Sequence, residues 1–276
     1  MRTSLKIGIL LLAIGIAARD SHAQGTQYVR FVIPGSNDIA YGVVDGQNIR
    51  ELQGQLFDML GETGRTFRFA EVDLLAPVQP EKVIAVGLNY ASHIGNQEPP
   101  PEPPIFFMNP SSIVGPGDAI IRPSDATQLH FEGELVVVIG REGKNIPREN
   151  AYDYIFGVTA GNDVSERVWQ ANDLQWWRAK GADTFGPIGP TILRGVNYDD
   201  LLLTTRLNGE VVQQQRTSDF IHDISTMVSF ISRYVTLKPG DVIFTGTPGS
   251  TSNMNVGDVV EVEGVGVLRN PIAAGE

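Results

Sequence analysis

Two glutamates stand two residues apart at the start of an apolar segment, where their carboxyl groups would enter the protein interior. Residues 131–139 read FEGELVVVI, so Glu132 and Glu134 precede an uninterrupted apolar run. In a β-strand, residues two apart point to the same face, and a strand that is apolar on both faces is buried. Two carboxylates side by side in a core repel each other and resist leaving water, so they need a positive partner. Mg²⁺ prefers oxygen ligands and would satisfy both glutamates.

A third acid adds to the case for a cation. Asp163 follows a predicted strand at residues 154–159, in the kind of loop that commonly carries functional sites. The alternative is that both glutamates face solvent at the mouth of their strand and pair with Arg122 or Arg141. A Glu-x-Glu pattern is a weak signal by itself, so both interpretations stay open on these residues alone.

The composition restricts what other chemistry is available. The chain of 276 residues has 21 Lys and Arg against 32 Asp and Glu, a formal net charge of −11, and no cysteine. Such an acidic chain lacks the clustered basic surface that nucleic acids require, so no nucleic-acid partner is expected. The lack of cysteine excludes disulfides, thiolate metal sites and cysteine nucleophiles. Carboxylates, histidines, hydroxyls, lysines or an oxygen-liganded metal remain.

The first 23 residues resemble a secretory signal peptide. Arg2 and Lys6 give a basic start, residues 7–18 are apolar or glycine, and small residues at 21 and 23 predict cleavage after Ala23. The apolar run is too short to span a bilayer, which needs roughly 20 residues. The sequence therefore predicts a periplasmic or secreted protein that does not contact the membrane once the leader is removed. A short N-terminal anchor is the alternative.

The rest of the chain is predicted to be predominantly β, of the α+β class, in two parts. Residues 24–80 contain strand-like segments separated by turn formers, which predicts a small N-terminal β-rich domain. A short helix is predicted over residues 52–60. Residues 81–276 are predicted to form one larger domain, mostly of strands. Its clear helix is predicted over residues 220–235, with Ser218 or Asp219 as N-cap.

Seven segments, in order along the chain, resemble motifs of the fumarylacetoacetate hydrolase family. They are GLNYASH at residues 87–93, FEGELVVVIG at 131–140, NDVSER at 162–167, AKGADTFGPIGP at 179–190, NGE at 208–210, LKPGD at 237–241 and TGTP at 245–248. Together they span most of the larger predicted domain, so the probability that all seven agree by chance is very small.

The resemblance implies a fold, a cofactor and a class of reaction. The fold is a mixed β-sandwich roll, usually assembled as a homodimer, with Mg²⁺ or Mn²⁺ held by three acids. At the matching positions these acids are Glu132, Glu134 and Asp163. The substrate implied is a small dicarbonyl carboxylic acid. A metal that chelates two substrate oxygens would stabilise the enolate formed during the reaction.

Two residues of these segments are candidates for catalysis. His93 is the candidate base, because imidazole titrates near the working pH, and a structural loop histidine is the alternative. Lys180, by resemblance, polarises the substrate carbonyl or supports the base, whereas an ordinary surface lysine is the alternative. Many hydrolytic members have a glutamate three residues after the histidine, and that position is Asn96 here. The nearest acid, Glu98, is the candidate replacement; otherwise His93 works without a carboxylate partner.

Four more residues are candidates for substrate binding. Arg167 and Gln170 are candidate donors to substrate oxygens, since arginine suits bidentate recognition of carboxylates. The turn at Gly246 and Thr247 is a candidate oxyanion site that would offer a hydroxyl or a backbone N–H. A tight turn with no catalytic role is the alternative for this segment.

The function expected first is hydrolysis of a carbon–carbon bond in a β-diketo or acylpyruvate-type acid. The second expectation is a metal-dependent isomerase or decarboxylase, which would use the metal and Lys180 but would need no activated water. The third is a non-catalytic periplasmic binding protein on the same fold. The intact acids and Lys180 disfavour this third expectation, and the loss of the usual glutamate at Asn96 favours the second over the first.

Overall fold

A computed structural model describes residues 25–276 of the chain. The predicted signal peptide and the cleavage site after Ala23 lie outside the described residues. Within residues 25–276, no helix is both long enough and apolar enough to cross a membrane.

The described part is built mainly of strands. In chain order they are β1 (Thr26–Val32), β2 (Ile39–Asp45), β3 (Asn48–Leu52), β4 (Glu62–Arg68), β5 (Asp73–Leu74), β6 (Val83–Val86), β7 (Ile105–Met108), β8 (Ile113–Val114), β9 (Ile120–Arg122), β10 (Leu129–His130), β11 (Gly133–Ile139), β12 (Ile155–Asn162), β13 (Ser165–Glu166), β14 (Gly186–Arg194), β15 (Leu202–Leu207), β16 (Glu210–Arg216), β17 (Val242–Phe244), β18 (Val259–Glu263) and β19 (Val267–Ala274). The α-helices are α1 (Ala91–Ile94), α2 (Arg167–Asn172) and α3 (Ile224–Tyr234). The prediction of a predominantly β fold is confirmed.

The largest sheet runs through both parts of the chain. Its strand order is β4-β3-β2-β1-β14-β12-β11-β17-β6-β7, with β5 beside β1 and β8 beside β14. Strand β1 joins the N-terminal strands to the rest, because it pairs with β2 on one side and with β14 on the other. Most neighbours are antiparallel, whereas β17 and β6 are parallel, so the sheet is mixed. The proposed division near residue 80 stays a prediction.

A second sheet packs against the first near the start of β11. Its order is β16-β15-β18-β19-β9, and Ala160 of the first sheet packs with Val262 and Leu268 of the second. The two sheets approach each other closely at Gly133, where an added Cβ would lie 1.9 Å from Thr205 Oγ1. Only glycine therefore fits between the two glutamates at this point of contact.

The predicted helices are shorter in the structure, and one N-cap is wrong. Helix α3 begins at Ile224, and Asp223 is its N-cap, with Oδ1 accepting from the Thr226 N–H at 2.8 Å. Residues Thr217–Asp219 form a separate 3₁₀ turn, so neither Ser218 nor Asp219 caps the helix. Over residues 52–60 only the 3₁₀ turn Leu56–Asp58 forms, because Leu52 is instead paired with Glu62 in the β3–β4 ladder.

The pairing of β11 with β12 brings the sequence-distant acids together. In this antiparallel ladder Gly133 lies opposite Asn162, and Glu134 lies opposite Gly161. The start of β11 is therefore beside the end of β12. Immediately outside the ladder, the Asp163 N–H donates to the Glu132 carbonyl at 2.9 Å, which fixes the two acid-bearing segments against each other.

Candidate functional site

Nine of the ten predicted site residues line one small cavity at this junction. The cavity has a volume of about 50 Å³. The predicted residues that line it are His93, Glu132, Glu134, Asp163, Arg167, Gln170, Lys180, Gly246 and Thr247. Glu98 is the exception, since it is exposed and does not line the cavity.

The three acids form a buried group, called here the carboxylate cluster (Glu132, Glu134 and Asp163). Each is at most 4% exposed, and one carboxylate oxygen from each lies within 4.8 Å of the others. Three carboxylates so close together in a dry interior repel one another strongly unless cations balance them. The interpretation of Glu132 and Glu134 as solvent-facing residues paired with Arg122 or Arg141 is therefore wrong.

Lys180 is the cation at the centre of the cluster. It is 1% exposed, and its Nζ donates to Glu132 Oε2 at 2.5 Å and to Asp163 Oδ2 at 2.6 Å. Burial alone would lower the pKa of Lys180, but Asp163 and Glu132 hold that pKa above its usual value. Lys180 is thus a charged ammonium group, and the alternative of an ordinary surface lysine is wrong.

Arg167 supplies the second cation, from the first turn of α2. Its Nη2 donates to Glu132 Oε1 at 2.5 Å, and its Nη1 donates to Gln170 Oε1 at 2.8 Å. Burial raises the pKa of Glu132, but Lys180 and Arg167 outweigh it and hold that pKa at about 2. Glu132 is therefore ionised at neutral pH, and Arg167 and Gln170 are held together at the cavity wall.

Glu134 and Asp163 are less well neutralised. Glu134 accepts one hydrogen bond, from the Gly246 N–H to Oε2 at 2.7 Å, and burial together with Asp163 and Glu132 raises its pKa well above the usual range. Burial also raises the pKa of Asp163, to about 7, against the opposing effect of Lys180. Among the described residues, Asp163 Oδ1 is buried and has no hydrogen-bond partner.

These observations fit a divalent cation. Three carboxylates face two cations, and the cluster atom left without a partner is Asp163 Oδ1, a carboxylate oxygen of the kind that Mg²⁺ and Mn²⁺ prefer. Glu132, Glu134 and Asp163 would hold the ion, with one oxygen from each already within reach of a common point. Asp163 Oδ1 would gain the partner that it lacks.

The affinity for Mg²⁺ is expected to rise with pH. A carboxyl group with a raised pKa keeps its proton in the metal-free protein, and the cation must displace that proton to bind. Because burial raises the pKa of Asp163 to about 7 and the pKa of Glu134 well above its usual range, affinity should rise with pH by up to about tenfold per pH unit for each proton displaced. Calorimetry in buffers of different ionisation enthalpy counts the protons released. An affinity that does not change from about pH 5.5 to pH 8.5 would contradict this protonation scheme.

His93 lies in α1 and faces the cluster across the cavity. Its Nδ1 is 2.7 Å from the Gly249 carbonyl oxygen. A carbonyl can only accept, so Nδ1 carries a proton, and in the neutral ring Nε2 is then the acceptor. The carboxylate partner proposed for His93 is not found at Glu98, and within residues 25–276 the contact to His93 comes from a backbone carbonyl instead.

Gly246 and Thr247 are placed by the turn after β17. Gly246 has φ +97°, and an added Cβ would lie 2.7 Å from the Asn89 Cβ, so this position requires glycine. The Thr247 hydroxyl donates to the Gly133 carbonyl and accepts from Gln213 Nε2, both at 3.0 Å. Since the hydroxyl of Thr247 and the N–H of Gly246 both have protein partners, the turn mainly holds Glu134 and Gly133 in position.

The sequence reasoning missed a chain of contacts behind Arg167. Thr251 Oγ1 accepts from Arg167 Nη2 at 2.8 Å and lies 2.9 Å from His130 Nδ1. His130 directly precedes the FEGEL segment, and its position next to this motif is a sequence signal for a residue near the site. Nothing in the sequence near Thr251 marks it. Phe106 and Trp176 also line the cavity.

Residues 82–273 match the family model described as fumarylacetoacetate (FAA) hydrolase, C-terminal. The chain belongs to the fumarylacetoacetate hydrolase family. Residues 26–77 match a second model, described as Rv2993c-like, N-terminal.

Two similar proteins match most of the described chain. Protein Rv2993c of Mycobacterium tuberculosis is 44% identical over 254 residues, which cover 87% of this chain and 96% of that protein. A mitochondrial oxaloacetate tautomerase of Xenopus laevis is 39% identical over 220 residues, covering 74% of this chain and 69% of that protein.

Two solved structures show the same fold. The crystal structure of a 2-hydroxyhepta-2,4-diene-1,7-dioate isomerase from Mycobacterium marinum matches with a TM-score of 0.84 and 41% identity, over 90% of this chain and 98% of that one. Maleylpyruvate hydrolase from a Sphingobium species, solved with manganese(II) and pyruvate, matches with a TM-score of 0.75 and 26% identity, over 91% and 100% of the chains. The family is thus one of enzymes named isomerase, tautomerase or hydrolase.

The prediction of a periplasmic or secreted protein is wrong. The tautomerase relative is named as mitochondrial, and other relatives come from the archaeon Archaeoglobus fulgidus and from Dictyostelium discoideum. None of these matches supports export. The prediction depended on residues 1–23 alone, a short compositional pattern outside the described residues. Assembly as a homodimer stays a prediction.

Proposed function

We propose that the protein is a divalent-metal-dependent isomerase or tautomerase that interconverts keto and enol forms of a small 2-oxo carboxylic acid. The observation that carries this proposal is the environment of His93. Its Nδ1 is held by the Gly249 carbonyl, and the acid that would complete a water-activating dyad, Glu98, is exposed outside the cavity. Tautomerisation moves one proton between carbon and oxygen and consumes no water, so it needs a base and a stabilised enolate but no such dyad.

The residues of the cavity supply both requirements. The carboxylate cluster would hold Mg²⁺ or Mn²⁺, which would supply Lewis-acid polarisation of the substrate. In the neutral imidazole the Nδ1 contact leaves Nε2 as the acceptor, so His93 would take the proton from the carbon next to the keto group, and the enolate oxygen would then take up a proton to complete the enol. The ammonium of Lys180 lies at the same cavity and stabilises negative charge that develops on the enolate oxygen. Arg167 and Gln170 receive the substrate carboxylate at the wall.

The relatives support this assignment by their names. An isomerase structure and oxaloacetate tautomerases are among the similar proteins, at 39–41% identity. Oxaloacetate is accordingly the first substrate to test, together with acylpyruvates.

A second candidate function is hydrolysis of the carbon–carbon bond of an acylpyruvate. It is favoured by the position of His93, whose Nε2 is available as a base, and by the likeness to maleylpyruvate hydrolase. In this reaction His93 would activate a water molecule, and the bond between the two carbonyl-bearing halves would break with release of an enolate. Decarboxylation would also pass through an enolate, without an added water.

His93→Gln is expected to lower turnover about 10²- to 10⁴-fold, the usual contribution of a general base, with Mg²⁺ affinity unchanged. His222→Gln is the matched control, because His222 Nε2 also contacts a backbone carbonyl, that of Pro100, but lies outside the cavity. Turnover is measured on oxaloacetate and acetylpyruvate, as loss of enol absorbance and, separately, as release of pyruvate.

The product pattern decides between the two candidates. Loss of enol absorbance without release of pyruvate supports the tautomerase. Pyruvate release that incorporates solvent oxygen into the other fragment would favour the hydrolase and overturn the first proposal. Unchanged turnover in His93→Gln would remove His93 from either mechanism.

A further inference from the structure

A second, larger cavity opens beside the carboxylate cluster. Its volume is about 440 Å³, and it shares Phe106 and Trp176 with the cavity that holds the cluster. We call it the tail cavity; the rest of its wall consists of Ile105, Phe107, Leu174, Gln175 and Trp177. The two cavities are therefore neighbours with a common aromatic wall.

The tail cavity differs from the cluster in its chemistry. No charged side chain is among its lining residues in the described part of the chain, and Gln175 is its one polar side chain. Leu174 is 100% exposed, Trp177 64% and Phe107 53%. Large apolar side chains that are exposed together around a concave surface mark a binding site for an apolar group.

The two shared aromatic residues place the tail cavity next to the buried ammonium group of Lys180. The Phe106 ring centroid is 5.2 Å from the Trp176 ring centroid and 5.2 Å from Lys180 Nζ. Phe106 thus lies between the buried ammonium and the apolar surface. A ligand whose charged end lies at Lys180 and Arg167 would have to pass this aromatic pair to reach the tail cavity.

We propose that the tail cavity is the subsite for an alkyl or aryl tail, so that the preferred substrate is a 2-oxo monocarboxylic acid with an apolar far end. This inference rests on the proposed function for the position of the acid group. A second carboxylate at the far end would lose its hydration without meeting a cation, since the tail cavity has none among its lining residues. The apolar end gains free energy in proportion to the surface that it buries there.

Binding of a homologous series tests the subsite without relying on turnover. The probes are 2-oxo acids with methyl, propyl and pentyl groups, titrated by calorimetry into the Mg²⁺-loaded protein. Affinity should rise roughly threefold to fourfold for each methylene that enters the cavity. An acid of the same length that ends in a second carboxylate should bind no more tightly than the methyl member. Equal affinity across the series would overturn the proposal.

Two variants locate the effect in the tail cavity. Trp177→Ala should reduce the ratio of pentyl to methyl affinity at least about threefold, whereas Tyr234→Ala, an exposed aromatic of α3 outside both cavities, should leave the ratio unchanged. Leu174→Lys should leave folding unchanged because the side chain is fully exposed, and it should shift preference toward the acid with the second carboxylate. The proposal is overturned if Trp177→Ala leaves the pentyl-to-methyl ratio unchanged and Leu174→Lys leaves the preference for the second carboxylate unchanged.

The outcomes separate this inference from the proposed function. A preference for the pentyl acid with no turnover of any 2-oxo acid would leave the subsite standing and remove the proposed activity. Turnover that is indifferent to tail length would retain the activity and overturn the subsite. A change of molecular mass in solution for Trp177→Ala, with no change in the ratio, would assign the apolar face to contact between two copies of the chain and would also overturn the subsite.

Discussion

Glu134→Gln is expected to abolish metal binding while making the metal-free protein more stable. Glutamine keeps the size of the side chain and can still accept from the Gly246 N–H through its amide oxygen. It removes one of three carboxylates that would hold the ion. Replacing a residue that only hydrogen-bonds to a metal ligand can lower metal affinity about 100-fold. Loss of a ligand itself should therefore lower Mg²⁺ affinity by at least about that factor, and turnover should fall with it.

The gain in stability follows from the sign of the pKa change. Burial and the neighbouring acids raise the pKa of Glu134 in the folded protein above its value in the unfolded chain. Stability from protonated Glu134 is then complete below the unfolded pKa and is lost as the pH rises toward the folded pKa. At about pH 8 the neutral glutamine avoids this loss, so the metal-free variant should be more stable than the metal-free wild type. Thermal unfolding in chelator should show an increase of several degrees in Tm.

Glu51→Gln is the matched control for this variant. Glu51 is also a buried glutamate, but it lies far from the cluster and is paired with Arg65 and Thr63. Burial opposes ionisation, yet these two partners lower the pKa of Glu51, so its neutralisation should destabilise the protein and leave Mg²⁺ affinity unchanged. Equal metal affinity in Glu134→Gln and the wild type would show that Glu134 is not a ligand.

Lys180→Met is expected to lower turnover strongly and to destabilise the metal-free protein. Methionine has a similar length but no charge, so Glu132 and Asp163 would lose the ammonium that now lies 2.5 and 2.6 Å from their oxygens. Breaking a buried ion pair on one side typically costs about 3–5 kcal/mol. Turnover should fall about 10²- to 10³-fold, the range for removing one group that stabilises a developing oxyanion.

Added Mg²⁺ should restore much of the stability of Lys180→Met and none of its turnover, because a cation in the cluster replaces the lost charge but not the ammonium at the substrate oxygen. Lys82→Met is the control, since Lys82 Nζ lies 2.7 Å from the buried Asp241 at a distant position. It should lose stability with turnover unchanged. A Lys180→Met protein with wild-type turnover would remove Lys180 from the mechanism.

The carboxylate cluster could be predicted from the sequence because short-range rules govern it. Alternation along a strand places Glu132 and Glu134 on one side, and an acid after the next strand falls beside them once the two strands pair. Family motifs then added Lys180, which composition alone would place at the surface. In the structure these residues line one cavity.

The features that the sequence did not reveal depend on contacts distant in the chain. The partner of His93 is the carbonyl of Gly249, a backbone group that carries no sequence signature, so Glu98 was considered instead. Thr251 reaches Arg167 across 84 residues, again through a single hydroxyl in a loop. Helix α3 was predicted too long because helical spacing continues into residues 220–223, whereas the Asp223 cap starts the helix at Ile224.

The most direct test of metal-dependent enolisation at the cluster is exchange of the carbon-bound protons of acetylpyruvate for deuterium, followed by proton NMR in D₂O. The account predicts that the Mg²⁺-loaded protein accelerates exchange at the carbon next to the keto group far above buffer with the same Mg²⁺. The acceleration should disappear in chelator and in Glu134→Gln. Exchange that proceeds equally in chelator, or no faster than in Mg²⁺ buffer alone, would contradict the account.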